Sequence, residues 1–300
     1  MKHLIKCALL ISLLGAFGCS EGFRGVGSAI LSSTGYVSSS QADSLMEAGE
    51  GMYKSARPVS AEEEYYIGRG VSAMLLKKYP PVTDQKLIRY VNQVGSVLVM
   101  VCDRPETFRG YRFVPVSSKE INAFAAPGGF IFVTTGFMRL LPSEDALAAV
   151  LAHEIGHIVA ADGLRAISQA HMTRALGALG KVGIEQAVSE AGSTTASLLT
   201  SAFSGSVTDV FETLVTNGYS RSQEYAADKY AATLLERAGY STDALRTVLE
   251  TLGKQNAEGG MFATHPKASD RLDELGTTKT VVADAAYSKR TARFSKNVVM

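Results

Sequence analysis

The chain has 300 residues and is poor in cysteine. Its three cysteines are Cys7, Cys19 and Cys102, and the first two lie in a short N-terminal segment. Cys102 is therefore the one cysteine that remains for a folded domain, which excludes an intrachain disulfide framework and a zinc site built from cysteines. We expect Cys102 to be a small buried hydrophobe near a helix end.

The chain also lacks an excess of charge of one sign, and it lacks long apolar runs. Its 30 basic and 29 acidic residues are spread along the sequence and leave a net charge of +1. This balance argues against nucleic-acid binding and against recruitment to a charged membrane. No apolar run reaches the length of a permanent membrane span, and no helical-repeat array is visible. The hydrophobic share of 46% is sufficient for a sizeable core.

The N-terminal residues have the pattern of an export signal. Two lysines precede an apolar centre at residues 7–17, and small residues follow it. We expect residues 1–18 to be a signal peptide and Cys19 to be the lipid anchor of a bacterial lipoprotein. A simple secretory signal, with Cys19 incidental, is the alternative. Ser20 follows the cysteine in place of aspartate, which predicts sorting to the outer membrane, facing the periplasm.

Composition divides the rest of the chain into three parts. Residues 19–58 are rich in Gly, Ser and Ala, which predicts a flexible tether. Residues 59–278 carry the periodic patterns of a folded domain, whereas residues 279–300 have few such signals and are expected to be a C-terminal tail. Inside the domain, small residues crowd positions 164–218, which fits either a moving lid over a cleft or a plain helical connection.

Local patterns predict an α+β fold that is mostly helical, with a small antiparallel β-sheet. A strand is expected over residues 111–116, at a sheet edge because of Pro115. A strand pair follows at residues 122–126 and 130–134, around a Pro-Gly-Gly turn. Thr83 is the expected cap of the second helix. Helices are predicted over about residues 60–79, 83–98, 143–162, 220–238, 242–252 and 267–275.

The most informative stretch is His-Glu-Ile-Gly-His at residues 153–157, which lies in an apolar run. On a helix, His153 and His157 stand on the same face, so both imidazoles can reach one zinc ion while Glu154 projects beside its open position. Zinc lowers the pKa of a bound water, and a neighbouring carboxylate can take the proton so that hydroxide attacks a carbonyl. An amphipathic helix that happens to carry two histidines is the alternative interpretation.

Two histidines leave a zinc ion short of a third protein ligand. Glu224 and Asp228 share a face of a later predicted helix through the same four-residue spacing. One carboxylate can bind zinc while the other accepts a hydrogen bond from a ligating imidazole. Carboxylates four residues apart are often solvated helix charge, but in this alanine-rich helix unpaired carboxylates would be costly to desolvate.

Together these motifs resemble the zinc metallopeptidase family that includes HtpX-type and CAAX-prenyl-protease-type enzymes, especially its soluble periplasmic lipoprotein branch. The resemblance covers about residues 60–275 and implies a zincin-like domain. It implies His153, His157 and Glu224 as ligands of one zinc ion, Glu154 as general base and Asp228 as partner of a ligand. It rests on Asn122-Ala123-Phe124 with Pro127-Gly128-Gly129, residues 153–157, Tyr219-Ser220-Arg221 before residues 224–228, and Thr264-His265-Pro266 with Arg271.

The resemblance also implies roles for His265 and Arg271. In the family, a histidine before proline and an arginine six positions later lie over the cleft, where they can stabilise the oxyanion of the tetrahedral intermediate. In some periplasmic relatives the equivalent histidine instead occupies the fourth zinc position and keeps the enzyme latent. The sequence leaves both roles of His265 open.

The predicted strand with Asn122, Ala123, Phe124 and Ala125 is a candidate substrate-binding edge. An extended polypeptide can add to such an edge through main-chain hydrogen bonds, with little demand on side-chain identity. This favours unfolded or partly unfolded envelope proteins as substrates. The chain has no transmembrane helices of the kind that integral relatives possess, so we do not expect prenylated or membrane-embedded substrates.

We therefore expect a zinc endopeptidase of the cell envelope that degrades misfolded or unassembled envelope proteins and contacts the membrane through its lipid anchor. One alternative is a periplasmic assembly factor that holds client strands at the sheet edge and rarely cuts. Intact Glu154 argues against that alternative, because a scaffold needs no general base. A zinc-stabilised structural protein is disfavoured because structural sites close the fourth position with a protein ligand, usually cysteine.

Overall fold

The computed structural model describes residues 59–167, 207–255, 261–276 and 285–298. The predicted class, a mostly helical α+β fold, is confirmed. The strands are β1 (Arg112–Val116), β2 (Ala123–Ala126) and β3 (Phe130–Thr134). The helices include α1 (Ala61–Lys78), α2 (Gln85–Val99), α3 (Thr135–Leu140), α4 (Glu144–Val159), α5 (Arg221–Arg237), α6 (Asp243–Gly253), α7 (Met261–Thr264), α8 (Ala268–Leu275) and α9 (Ala285–Val298).

Several expectations fall on other parts of the chain. The expected signal peptide, Cys19 and the tether lie outside the described residues, as does most of the segment 164–218. Within the described ranges, no helix combines the length and the apolar character that a bilayer span requires. Cys102 is buried just after α2, as expected.

Side-chain caps begin two helices close to where the sequence predicts them. Before α2, the carboxylate of Asp84 accepts hydrogen bonds from the backbone nitrogens of Lys86 and Leu87, at 2.8 and 3.4 Å. The prediction of Thr83 as the cap is therefore wrong by one residue. Before α5, Ser220 and Gln223 form a reciprocal capping box, so the start of that helix is defined by its own first turn.

The strands form a mixed sheet in the order β1-β3-β2. β2 and β3 are antiparallel and are joined by a tight turn in which Gly128 and Gly129 have positive φ angles of 77° and 92°. β1 lies at an edge, as expected, but it pairs in parallel with β3. The expectation of a wholly antiparallel sheet is wrong at this strand, because a parallel pair has no hairpin turn that a sequence pattern could reveal.

Helix α4 is buried along almost its whole length. Ser143 caps it by accepting a hydrogen bond from the backbone nitrogen of Ala146, and its apolar side chains pack against α2, α5, α6 and the sheet. The helix ends at Val159, and Ala161 then adopts a left-handed φ of 55°. The sequence predicted that α4 could run past Asp162, but a new helical segment begins there instead.

The C-terminal residues contain a helix that the sequence did not predict. Helix α9 places two apolar side chains in the same hydrophobic cluster as α4. Arg290 makes hydrogen bonds of 2.7 and 2.9 Å to the carboxylate of Asp145, and Arg293 pairs with the fully buried Glu144. The expectation of a C-terminal tail is therefore wrong at residues 285–298, which form a packed helix. The carboxylates that pair with the arginines of this helix lie 145 or more positions earlier in the chain, so local sequence patterns do not reveal the pairing.

Candidate metal centre

Helix α4 presents His153, Glu154 and His157 to the interior of the protein. All three side chains are buried. The Nε2 atoms of the two histidines lie 3.2 Å apart, and their rings are almost perpendicular, at 89°. The four-residue spacing therefore brings both imidazoles to one point, as the helical period requires.

Helix α5 brings Glu224 to the same point. The two helices approach closely because residue 156 is glycine: a Cβ atom there would lie 3.3 Å from the Cα atom of Ala227. Glu224 is fully buried. Its Oε2 atom lies 3.5 Å from the Nε2 atom of His153, and its Oε1 atom lies 3.6 Å from that of His157.

His265 joins the cluster from the loop between α7 and α8. Its Nδ1 atom lies 2.5 Å from the Oε2 atom of Glu224. The last residue of α7 packs closely against Gly218, which has a φ of 71°: a Cβ atom on Gly218 would lie 1.9 Å from the carbonyl oxygen of Thr264. Four side chains thus bring one ligand atom each to within 4.8 Å of the others: His153, His157, Glu224 and His265.

Asp228 and Arg271 lie behind His153, on the side of its Nδ1 atom. The Oδ1 atom of Asp228 is 2.9 Å from that nitrogen. Arg271 donates from Nε to Oδ2 at 2.8 Å and from Nη2 to Oδ1 at 2.6 Å, and it is buried. The resemblance implied an arginine over the cleft. The guanidinium instead lies on the far side of the imidazole from Nε2, because a buried guanidinium needs the paired carboxylate.

Asp162 is a site residue that the sequence analysis missed. It is buried, and its Oδ2 atom accepts a hydrogen bond of 2.8 Å from the Nδ1 atom of His157. Each histidine of the motif therefore has its own carboxylate partner. The sequence signal for Asp162 is a single aspartate in an otherwise apolar stretch. Because the predicted helix continued through residue 162, the sequence did not indicate that this carboxylate turns back to His157.

The donor set fits a divalent metal ion. Because a carboxylate accepts the Nδ1 hydrogen of each motif histidine, a ring in its neutral form carries its lone pair on Nε2, and the two Nε2 atoms face each other. These lone pairs and the Glu224 carboxylate repel one another unless positive charge lies between them. Two histidines and a glutamate in this arrangement are typical of catalytic zinc sites.

The pKa values reflect the same concentration of negative charge. Burial and the positive charge of Arg271 oppose protonation of His153, but hydrogen bonds to Asp228 and Glu224 raise its pKa to about 9. Burial alone would raise the pKa of the Glu224 carboxyl, yet the charge of His265 and hydrogen bonds from His153 and His265 hold it well below its usual range. Positive charge is thus stabilised at the centre, which favours a bound cation.

A narrow cleft separates this cluster from β2. It is lined by Ala123, Phe124, Ala125, Glu154, Thr213, Leu214, Gly218, Tyr219, Thr264 and His265. The side chain of Phe124 is buried in a second hydrophobic cluster, and the side chain of Asn122 is buried as well. These two side chains are enclosed by the fold, so β2 offers the cleft chiefly its main chain.

Two features of the cleft bear on chemistry. The Oε1 atom of Glu154 is buried and has no hydrogen-bond partner among the described residues. The ring of Tyr219 lies against that of His157, with centroids 4.5 Å apart and planes at 34°. Tyr219 belongs to the Tyr-Ser-Arg motif at residues 219–221, but the sequence predicts no role for it. Its contact with His157 spans 62 positions and has no local signature.

This fold and cluster define a class of protein. A buried helix with two histidines four residues apart, a glutamate beside them and a further glutamate from a second helix is the site of a zincin-like metallopeptidase. The sequence model of peptidase family M48 matches residues 85–279. The chain therefore belongs to peptidase family M48, and the predicted family and metalloprotease class are confirmed.

Curated relatives agree with this assignment. The chain is 27% identical over 238 residues to the beta-barrel assembly-enhancing protease of Escherichia coli K12, covering 77% of this chain and 46% of that protein. It is 30% identical over 161 residues to the metalloprotease LoiP of the same strain, covering 53% and 58%. The metalloprotease YcaL is 29% identical over 162 residues, with the same coverage. The chain thus spans about half the length of the curated relatives it matches.

Proposed function

We propose that the chain is a zinc endopeptidase that hydrolyses peptide bonds of unfolded or misassembled cell-envelope proteins. The observation that carries the proposal is that Glu154 lines the same cleft as His265, one of the four clustered residues, and has one buried oxygen without a hydrogen-bond partner among the described residues. Leaving a buried carboxylate oxygen without a partner is costly. A general base needs such an oxygen to accept the proton of the attacking water.

In the proposed mechanism, three residues hold the zinc ion and a fourth moves the proton. His153, His157 and Glu224 are the ligands. Bound zinc would polarise the peptide carbonyl and lower the pKa of a water molecule. Glu154 accepts the proton of the attacking water on Oε1 and then delivers it to the leaving amine.

The edge of β2 supports an extended polypeptide as the substrate. β2 pairs with β3 on one side and borders the cleft on the other. Hydrogen bonds with the main chain of Ala125 and with the carbonyl of Ala123, whose N–H donates to the Oδ1 atom of Asn122 at 2.9 Å, would hold a substrate in extended form beside Glu154. The name of the E. coli relative refers to β-barrel assembly, which supports envelope proteins as the substrate class.

His265 is the fourth ligand of a resting form in this proposal. Its ligand atom lies within the same cluster as those of the three other ligands, and it contacts Glu224 directly. A histidine in the fourth position excludes water from the site, so the resting chain is latent. Withdrawal of the loop between α7 and α8 would open the position. This geometry favours the latent role of His265 over the oxyanion role.

Arg271 acts through Asp228 rather than on the substrate. Its hydrogen bonds to both oxygens of Asp228 fix the carboxylate that receives the Nδ1 hydrogen of His153. Such partners orient a ligating imidazole and set its tautomer. The assignment replaces the oxyanion role that the resemblance implied.

Export and anchoring complete the proposal. Cys19 would carry the lipid of an outer-membrane lipoprotein that faces the periplasm, which is supported by the pattern of residues 1–20. A fatty-acid analogue should label the wild-type chain in cells but not a Cys19→Ser variant. Equal labelling of the two would reject the anchor.

The variant Glu154→Gln tests the catalytic proposal. The amide keeps the size of the side chain but cannot accept the proton, so the variant should retain zinc and lose cleavage of unfolded casein by about 100-fold or more. Undiminished cleavage would remove Glu154 from the mechanism. A wild-type chain that binds casein without cutting it would support the assembly-factor alternative instead.

A further inference from the structure

A backbone turn places Asp162 behind His157. On an uninterrupted helix, residues five positions apart point about 140° away from each other, so Asp162 could not reach this histidine. Helix α4 ends at Val159, and Ala161 takes a φ of 55°, a strained conformation for a residue with a Cβ atom. The turn brings the Oδ2 atom of Asp162 to 2.8 Å from the Nδ1 atom of His157.

The carboxylate of Asp162 is itself held in place. Its Oδ1 atom accepts a hydrogen bond of 2.8 Å from the Nε2 atom of Gln223. The other amide atom of Gln223 accepts from the backbone nitrogen of Ser220 at 3.0 Å, within the capping box of α5. Arg165 also reaches Oδ1, at 3.3 Å, but its side chain is 66% exposed. The shorter, part-buried hydrogen bond from Gln223 is therefore the stronger restraint.

The ring of His157 is restrained on its face as well as at its edge. Tyr219 lies against the face, and Asp162 holds the Nδ1 edge. Together they leave the Nε2 atom directed towards Glu224 and His153. A ligand that is fixed before the metal arrives loses less freedom on binding it.

We infer that Asp162 is a positioning residue that orients His157 as a metal ligand, and that Gln223 holds Asp162 for this task. The inference rests on the proposed metal site. By accepting the Nδ1 hydrogen, Asp162 selects the tautomer with its lone pair on Nε2 and makes that nitrogen a better donor to a metal. The strained turn at Ala161 lies directly before the buried Asp162, and backbone strain of this kind is common beside functional sites.

Zinc affinity, measured by competition with a chelator, tests this role independently of cleavage. Asp162→Asn keeps the size of the side chain but removes its charge, and it should weaken zinc binding about tenfold or more. Gln223→Leu removes the part-buried hydrogen bond to Oδ1 and should weaken binding to a smaller extent. Arg165→Ala is the matched control, because this exposed side chain contacts the same oxygen, and it should leave the affinity unchanged.

The double variant of Asp162→Asn and Gln223→Leu separates positioning from a general loss of structure. Because Gln223 acts through Asp162, the two losses in zinc affinity should not add. Fully additive losses would overturn the role of Gln223, and wild-type affinity in Asp162→Asn would overturn the whole inference. If Asp162→Asn does not fold, Gln223→Leu decides, and unchanged affinity in that variant overturns the inference.

The same titrations distinguish this inference from the proposed function. A wild-type chain that binds no zinc would refute the proposed metal site, and the role of Asp162 with it. Tight binding by the wild-type chain, together with equally tight binding by both variants, would refute the role of Asp162 alone.

Discussion

His265 contacts Glu224 with its Nδ1 atom 2.5 Å from the Oε2 atom, across 41 positions of sequence. This contact links the loop after α7 to the middle of the site on α5. Because Glu224 is also close to His153 and His157, the loop and the proposed metal ligands form one connected group. A change in the loop is therefore expected to change the accessibility of the site.

Removal of the His265 side chain should activate the chain. In His265→Ala the three proposed zinc ligands remain, and the fourth position becomes open to water, so cleavage of unfolded casein should become several-fold faster. Lys267→Ala changes an exposed side chain of the same loop and should have no effect. Slower turnover in His265→Ala would restore the oxyanion role, and an unchanged rate would discard both roles.

Removal of Glu224 should reduce the amount of bound zinc. Glu224→Ala deletes the one carboxylate among the four clustered ligands, so zinc measured by metal analysis after dialysis should fall well below that of the wild-type chain. Glu236→Ala, at an exposed position of the same helix, should keep the wild-type content. Normal zinc content in Glu224→Ala would reject it as the third ligand.

The close approach of α4 and α5 at Gly156 should be necessary for zinc binding. A valine at this position would press its side chain against Ala227, whose Cα atom already lies 3.3 Å from the place of a Cβ. Glu224 would then move away from the histidines, and zinc affinity should fall by about tenfold. At Gly253 an added Cβ meets a first atom only at 3.8 Å. Gly253→Val should therefore bind zinc normally, and equal affinity in both variants would contradict the account.

Helix α9 should contribute to stability through Arg293. This arginine pairs with Glu144, which is fully buried at the start of α4, while its own side chain is 55% exposed. Arg293→Ala leaves that carboxylate with the hydroxyl groups of Tyr90 and Tyr240 but removes the positive charge of Arg293, so the free energy of unfolding should fall by about 1–3 kcal/mol. Urea denaturation measures this free energy of unfolding. Lys289→Ala, at an exposed position of α9, should change it little, and equal losses would contradict the role of the ion pair.

Local chemistry made much of the site predictable. A four-residue spacing on a helix fixes which side chains share a face, so His153 and His157, and likewise Glu224 and Asp228, could be paired from sequence. Helix starts were predictable for the same reason, since a cap such as Ser220 bonds within its own first turn.

The rest depends on contacts that local patterns do not contain. The parallel pairing of β1 with β3 has no connecting turn to mark it. Helix α4 ends next to Ala161, which has a left-handed φ. Glycine is the usual residue in that conformation, so an alanine there gives no sequence signal for the end of the helix. Arg271 is recognised as a partner of Asp228 only when the fold brings together residues 43 positions apart.

The central claim is that His153, His157 and Glu224 hold one zinc ion beside Glu154. Anomalous diffraction at the zinc edge, from crystals of the zinc-loaded chain, tests this most directly. We predict a single strong peak about 2.0–2.2 Å from the Nε2 atoms of both histidines and from a carboxylate oxygen of Glu224. A peak elsewhere, or a Glu224 side chain turned away from the two imidazoles, would contradict the account.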